Sequence, residues 1–185
     1  MIELDLIRKH CRVDALIPGE GDNPATSEDD ALLLTYAKAA QTWVEHYTGR
    51  ALTARDEVMT YSSFSDCLKS KLRPLQAVVT ILYTDTDGDT VPLPASDFRV
   101  IGDVVYPAAG KLFPLNLPPN EVVLTATVGP DADSDEEVPA DLISAQLLLI
   151  SHYYNNRDSV EVGTITSTLP MGVKALCDSY RQPEV

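Results

Sequence analysis

The chain has 185 residues, 44% hydrophobic and 23% charged, an ordinary composition for one globular domain carrying an insertion. Its 14 Lys and Arg against 28 Asp and Glu give a net charge of −14, so the surface repels nucleic acid, whose binding runs on phosphate neutralisation by basic side chains. Cys11, Cys67 and Cys177 form no CxxC pair, which predicts a reducing cytoplasm, and the acidic start and short apolar runs predict neither a signal peptide nor a membrane span.

Residues 4–11 place Leu4, Ile7 and Cys11 at helical spacing. The 18–27 stretch, rich in Gly, Pro, Asn and Ser, reads as a loop. Thr26 and Ser27 then offer an N-cap, with Glu28, Asp29 and Asp30 in a first turn where acidic side chains suit the helix dipole. A helix is predicted over 28–48, with Leu33, Tyr36, Ala40, Trp43 and Tyr47 on one stripe and Gly49 as its stop. Lys38, Gln41, Thr42 and Glu45 fall on its other faces.

Periodicity then turns from helical to extended, with strands predicted at 58–61, 77–83, 90–93, 98–101, 104–106 and 122–128. They are short and close together, which favours antiparallel pairing over crossover helices. Asp87-Gly88, between the second and third, is a hairpin signal. After Pro139, Leu142, Ile143, Leu147, Leu148, Leu149, Ile150 and Tyr154 leave only a narrow polar edge at Ser144, Ser151 and Asn155. That pattern predicts a helix buried on several sides against the Trp43 helix, with Leu33, Tyr36, Trp43, Leu147, Leu148 and Tyr154 meeting in the core. Pro170 opens a last amphipathic segment with Val173, Leu176, Cys177 and Tyr180 on one side.

The fold class is therefore α+β. A small helical bundle from 1–52 and 140–185 carries an antiparallel β module, 53–139, inserted between its two long helices, all as one structural domain.

Chemistry-bearing patterns are few. Asp85, Asp87 and Asp89 alternate like the first ligands of an EF-hand, yet Gly88 stands at loop position four and Ser96 replaces the closing Glu. Asp131, Asp133 and Asp135 alternate likewise, but Glu136 occupies the glycine position and Leu142 that of the bidentate Glu. His10, His46 and His152 lack zinc spacing, Cys67 has no neighbouring base in sequence, and no phosphate loop or nucleophile elbow appears. Neither catalysis nor a cofactor or metal is expected.

Three segments together resemble the head-tail connector family of long-tailed phages and gene transfer agents, also called head completion or adaptor proteins. They are Cys11-Arg12-Val13-Asp14; Val44-Glu45-His46-Tyr47-Thr48-Gly49-Arg50-Ala51-Leu52; and His152-Tyr153-Tyr154-Asn155-Asn156-Arg157 with Leu169-Pro170-Met171-Gly172-Val173-Lys174-Ala175-Leu176 and Tyr180-Arg181. The resemblance implies a virion protein at the head-tail junction, made in the host cytoplasm, that forms a dodecameric ring on the portal protein. Such a ring extends the DNA channel and gives a platform to the next neck or tail completion protein. No catalytic residue is implied.

On that reading Asp131, Asp133, Asp135, Glu136 and Glu137 are candidates for a channel wall along which DNA slides without specific binding. The C-terminal segment docks either on its own subunit or on the portal or a neighbouring copy, because amphipathicity alone does not say which core a helix joins. The second alternative makes Tyr153, Tyr154, Arg157, Leu169, Met171, Val173, Leu176 and Tyr180 an assembly interface. A rival reading, an acidic inhibitor that mimics DNA, predicts carboxylates spaced regularly along exposed helices, whereas much of the acid here lies in predicted loops.

Overall fold

The computed structural model describes residues 2–13, 29–115, 121–131, 138–156 and 171–181. The chain forms two compact units, Met1–Thr48 with Val138–Val185, and Gly49–Glu137.

The first unit is helical: α1 (Leu4–Cys11), α2 (Asp30–Thr48), α3 (Ala140–Asn155) and α4 (Met171–Asp178). In α1, Asp5 sits in the first turn and Arg8, Lys9 and His10 in the last, each charge matched to its end of the helix dipole. Arg12 stops the helix in the left-handed conformation, and its N–H returns to the carbonyls of Arg8 and Lys9. Ile7 is fully buried, and α1 packs on both α2 and α3. Arg8 ties it to the start of α2, Nε to Asp30 Oδ1 at 2.9 Å and Nη2 to Asp30 Oδ2 at 2.5 Å. That pairing raises the guanidinium pKa above its ordinary value.

The buried face of α2 is Leu33, Ala37, Ala40, Val44 and Thr48, joined by Glu45. This corrects the predicted stripe, because Tyr36, Trp43 and Tyr47 are only half-buried and Glu45, expected on another face, is buried. The physical reason is size: small residues on the contact line let helices approach closely, and bulky rings are displaced to its flanks. There they find each other, Trp43 stacking on Tyr47 at 4.9 Å and Tyr36 lying 5.9 Å from Tyr153. Glu45 accepts a hydrogen bond from Gln41 Nε2 at 3.0 Å.

A second correction concerns α3, expected to be buried on several sides. Its buried face is Leu142, Ala145, Gln146, Leu149 and Ile150, while Leu147 is half-buried and Leu148 exposed. Trp43→Ala should accordingly cost no more than about 2 kcal/mol, less than Leu33→Ala at about 3 to 5 kcal/mol, because only the second opens a closed cavity. Urea unfolding of the two variants checks the order, and a larger loss for Trp43→Ala would refute the packing.

The second unit holds the strands β1 (Arg55–Tyr61), β2 (Leu68–Lys69), β3 (Leu75–Thr84), β4 (Thr90–Pro92), β5 (Phe98–Ile101), β6 (Val104–Pro107) and β7 (Val122–Val128). They make two antiparallel sheets, one in the order β1-β7-β3-β4 and one in the order β2-β6-β5. Mixed α+β architecture with antiparallel strands between the two long helices is thus present as predicted. The last strand of the unit, β7, lies between β1 and β3, and in register Met59 pairs with Leu124, which pairs with Ile81. Those three side chains face the core, and β7 alternates buried and half-buried along its length. One apolar cluster joins Met59, Leu75, Ile81, Val122, Leu124, Ala126 and Val128 of the larger sheet to Leu68 and Val105 of the smaller. The predicted hairpin closes at Gly88, whose φ of 92° suits only glycine.

Tyr61 sits at the rim of this core, its hydroxyl donating to the Lys69 carbonyl at 2.5 Å. Burial pushes its pKa from 10.0 up to about 12. The folded chain therefore keeps a proton that the unfolded chain loses, so this contribution is whole below the unfolded pKa and vanishes as pH rises through the folded one. The urea midpoint should fall between pH 10.0 and about 12, less steeply in Tyr61→Phe. Superimposable alkaline profiles for the two proteins would refute the assignment.

Candidate assembly surfaces

The predicted C-terminal interface residues fold onto their own unit wherever they are described. Val173 is fully buried there, as is Cys177, and Leu176 is half-buried. Tyr154 Oη donates to Asp29 Oδ2 at 2.6 Å, joining the end of α3 to the start of α2, and Tyr180 Oη donates to Asp141 Oδ2 at 3.1 Å. Tyr153 lies beside Tyr36, and partial burial raises its phenol pKa. Arg157, Leu169 and the Met171 side chain lie outside the described residues. Within the single chain the last helix packs on α3 and α2.

Sequence reasoning missed what fastens that helix. Tyr47 Oη donates to Asp178 Oδ1 at 2.7 Å, which raises the phenol pKa, and the Arg181 guanidinium stands 5.4 Å from the Tyr47 ring. Trp43, Tyr47, Asp178 and Arg181 thus form a continuous contact from α2 to α4. The signal was present in Tyr47, which sits one turn beyond Trp43 and carries a polar tip at a place where a pure core position would not need one.

Of the acidic candidates, Asp131 is exposed, and Asp133, Asp135, Glu136 and Glu137 lie outside the described residues. In the hairpin, Asp85 Oδ1 accepts the backbone N–H groups of Asp87 at 2.9 Å and Asp89 at 3.0 Å, so this carboxylate closes its own turn. His10 and His46 are exposed, and half-buried His152 has Asn156 Nδ2 3.2 Å from its Nδ1. Among the described residues, no three His, Cys, Asp or Glu side chains gather as metal ligands would, and no helix is long and apolar enough to cross a membrane.

The larger sheet displays few charges. Within β1, β3, β4 and β7 the charged residues are Arg55, Asp56 and Glu57. Alternation puts Val58 and Thr60 on the face turned away from the core, with Thr125 and Thr80 beside Val58 in register. Asp56 shares that face and accepts a hydrogen bond from Thr127 Oγ1 at 2.7 Å. Beyond β6, a segment without regular structure presents Leu112 and Leu115 to solvent.

Whole-chain comparison gives this architecture a context. A chain from the neck of an empty gene transfer agent particle, computed with sixfold symmetry, superposes with a TM-score of 0.74 at 28% identity, covering 100% of this chain and 91% of that one. This chain is thus similar in fold to a chain from a gene transfer agent neck. A chain from the virion of a native gene transfer agent particle gives 0.72 at 27% identity, with the same coverage of 100% and 91%. One from the neck of a native particle, computed with twelvefold symmetry, gives 0.67 at 28%, covering 84% of this chain and 85% of that one. Neither a family model nor a curated protein matches the chain. The similarity supports a structural neck or virion component, and it spans both the helical and the β unit.

Proposed function

We propose that this chain is a non-enzymatic structural subunit of the neck of a phage-like particle, in which copies close into a ring at the head-tail junction. One observation carries the reading: similarity along the whole chain to a subunit from a neck computed with sixfold symmetry. In its finer form the ring is a dodecamer seated on the portal, extends the DNA channel and offers a platform to the next neck or tail completion protein. Rotational closure requires each subunit to meet its neighbours through two different complementary patches. Asp131, Asp133, Asp135, Glu136 and Glu137 would face the channel, where like charge keeps DNA from adhering.

Electron microscopy of purified particles carrying an affinity-labelled copy of the chain tests this. Label in a ring between head and tail is the expected result, and label elsewhere, or particles without the protein, would overturn it. The purified chain should also leave duplex DNA unshifted in a gel at physiological salt.

A further inference from the structure

We infer that neighbouring copies of this chain meet through two apolar surfaces on opposite sides of the β unit. The 111–115 segment of one copy seats on the outward face of the β1-β7-β3-β4 sheet of the next. This rests on the ring reading above and names the contact that closes the ring.

The segment is held, not loose. Phe113 stacks on Phe64 with ring centroids 4.7 Å apart, Phe64 meets Tyr83 edge-on at 5.4 Å, and all three pack against the buried cluster. At the segment's start, Lys111 pairs with Asp97, which lowers the carboxyl pKa, and the Lys111 N–H donates to Ala108 O at 2.9 Å. Between and beyond these anchors, Leu112 is 88% exposed and Leu115 71%, the two highest values for large hydrophobics among the described residues. Next come Val58 at 62% and Val79 at 56%, both on the sheet. Ile101, at 53%, belongs to the smaller sheet and to neither surface.

The two surfaces lie on opposite sides of one sheet. Tyr83 pairs with Val122, which pairs with Tyr61, and fully buried Val122 marks that row as core-facing. Phe113 reaches the sheet from that side through Phe64 and Tyr83, whereas Val58 points the other way. Two different patches are what a head-to-tail contact that closes a ring requires, and a two-fold contact would use one patch twice.

Charge selects the occupant. Copies carrying −14 each repel, so their contact falls where acid is sparsest. There is no Asp or Glu from 104 to 120 and none in β3, β4 or β7, and Asp56 of β1, the carboxylate on the outward face, is taken up by a hydrogen bond from Thr127 Oγ1. A basic partner would be drawn instead to the acidic surfaces that these segments lack. A second copy of this chain fits both patches.

The test places a photo-crosslinker in the full chain, Leu112→benzoylphenylalanine, and irradiates particles in which this is the only copy. A ladder extending past dimers, with crosslinked peptides from β1 or β3 of another copy, is expected, since each subunit both gives and receives the contact. Crosslinks that stop at dimers, that reach another protein or another segment, or that fail to form in particles whose neck ring is present overturn the contact and leave the ring reading standing. A chain missing from the neck overturns both. In parallel, Leu112→Asp with Leu115→Asp should leave the melting temperature unchanged and abolish the ring, while Leu112→Met with Leu115→Met should retain it; a ring in the Asp variant refutes the contact.

Discussion

Gly129→Ala should unfold the β unit or leave it barely stable. Gly129 follows the central strand β7 at a φ of 110°, a conformation that side chains rarely adopt. A Cβ there would lie 2.5 Å from the Thr53 carbonyl oxygen, 2.8 Å from its carbon and 2.9 Å from Ala54 Cα. All three are backbone atoms, so relief requires moving the chain just ahead of β1. The glycine's own hydrogen bonds resist that movement, its N–H donating to Pro74 O at 2.9 Å and its carbonyl accepting from Gln76 Nε2 at 2.7 Å. Strain and clash together should cost roughly 3 kcal/mol or more, a large share of a domain's usual 5 to 15 kcal/mol. Gly102→Ala is the control, at a φ of 57° with nothing within 4 Å of the added carbon. It should cost about 1 kcal/mol from backbone strain alone. Equal urea midpoints for the two variants would show that the approach to Thr53 had been misjudged.

Removing the last helix, by ending the chain at residue 168, should destabilise the helical unit by about 3 to 5 kcal/mol. Val173 and Cys177 are fully buried against the unit, and deleting them uncovers the surfaces of α3 and α2 on which α4 packs. The hydrogen bonds from Tyr47 to Asp178 and from Tyr180 to Asp141 go as well. Trp43, the single tryptophan, stacks on Tyr47 and so reports the loss directly. Its fluorescence midpoint in urea should fall and its emission shift to the red. If the shortened chain unfolds at the same urea concentration as the intact one, the docking of α4 contributes nothing to stability.

Much of the local structure was legible because local rules govern it. Leu4, Ile7 and Cys11 mark α1, alternation marks β7, and Asp87-Gly88 marks the turn between β3 and β4. The misread face of α2 has its origin in size. Tyr36, Trp43 and Tyr47 offer more area to bury than Ala37, Val44 and Thr48, but closeness of approach favours the smaller set. Hydrophobicity ranks side chains by area, whereas packing also selects by shape. Strand β2, two residues long, is too short to show any period. The insertion of β7 between β1 and β3 depends on pairing between residues 39 to 73 positions apart, which no window along the sequence can see. Leu112 and Leu115 carry no period that marks them as inside or outside, and their exposure is visible only in the fold.

The position of β7 also bears on how the protein is made. A ribosome releases the chain from its N-terminus, and domains generally fold as units as they emerge. β1 and β3 do not pair with each other but each with β7, so the larger sheet stays incomplete until residue 128 is out. The helical unit waits longer still, because α2 buries its face against α3, whose first residue is Ala140. During that interval the nascent chain carries Leu33, Ala37, Ala40 and Val44 without their partner. The β unit is therefore expected to gain protease resistance on stalled ribosomes before the helical unit does, and α2 is the segment that a chaperone would hold in the meantime.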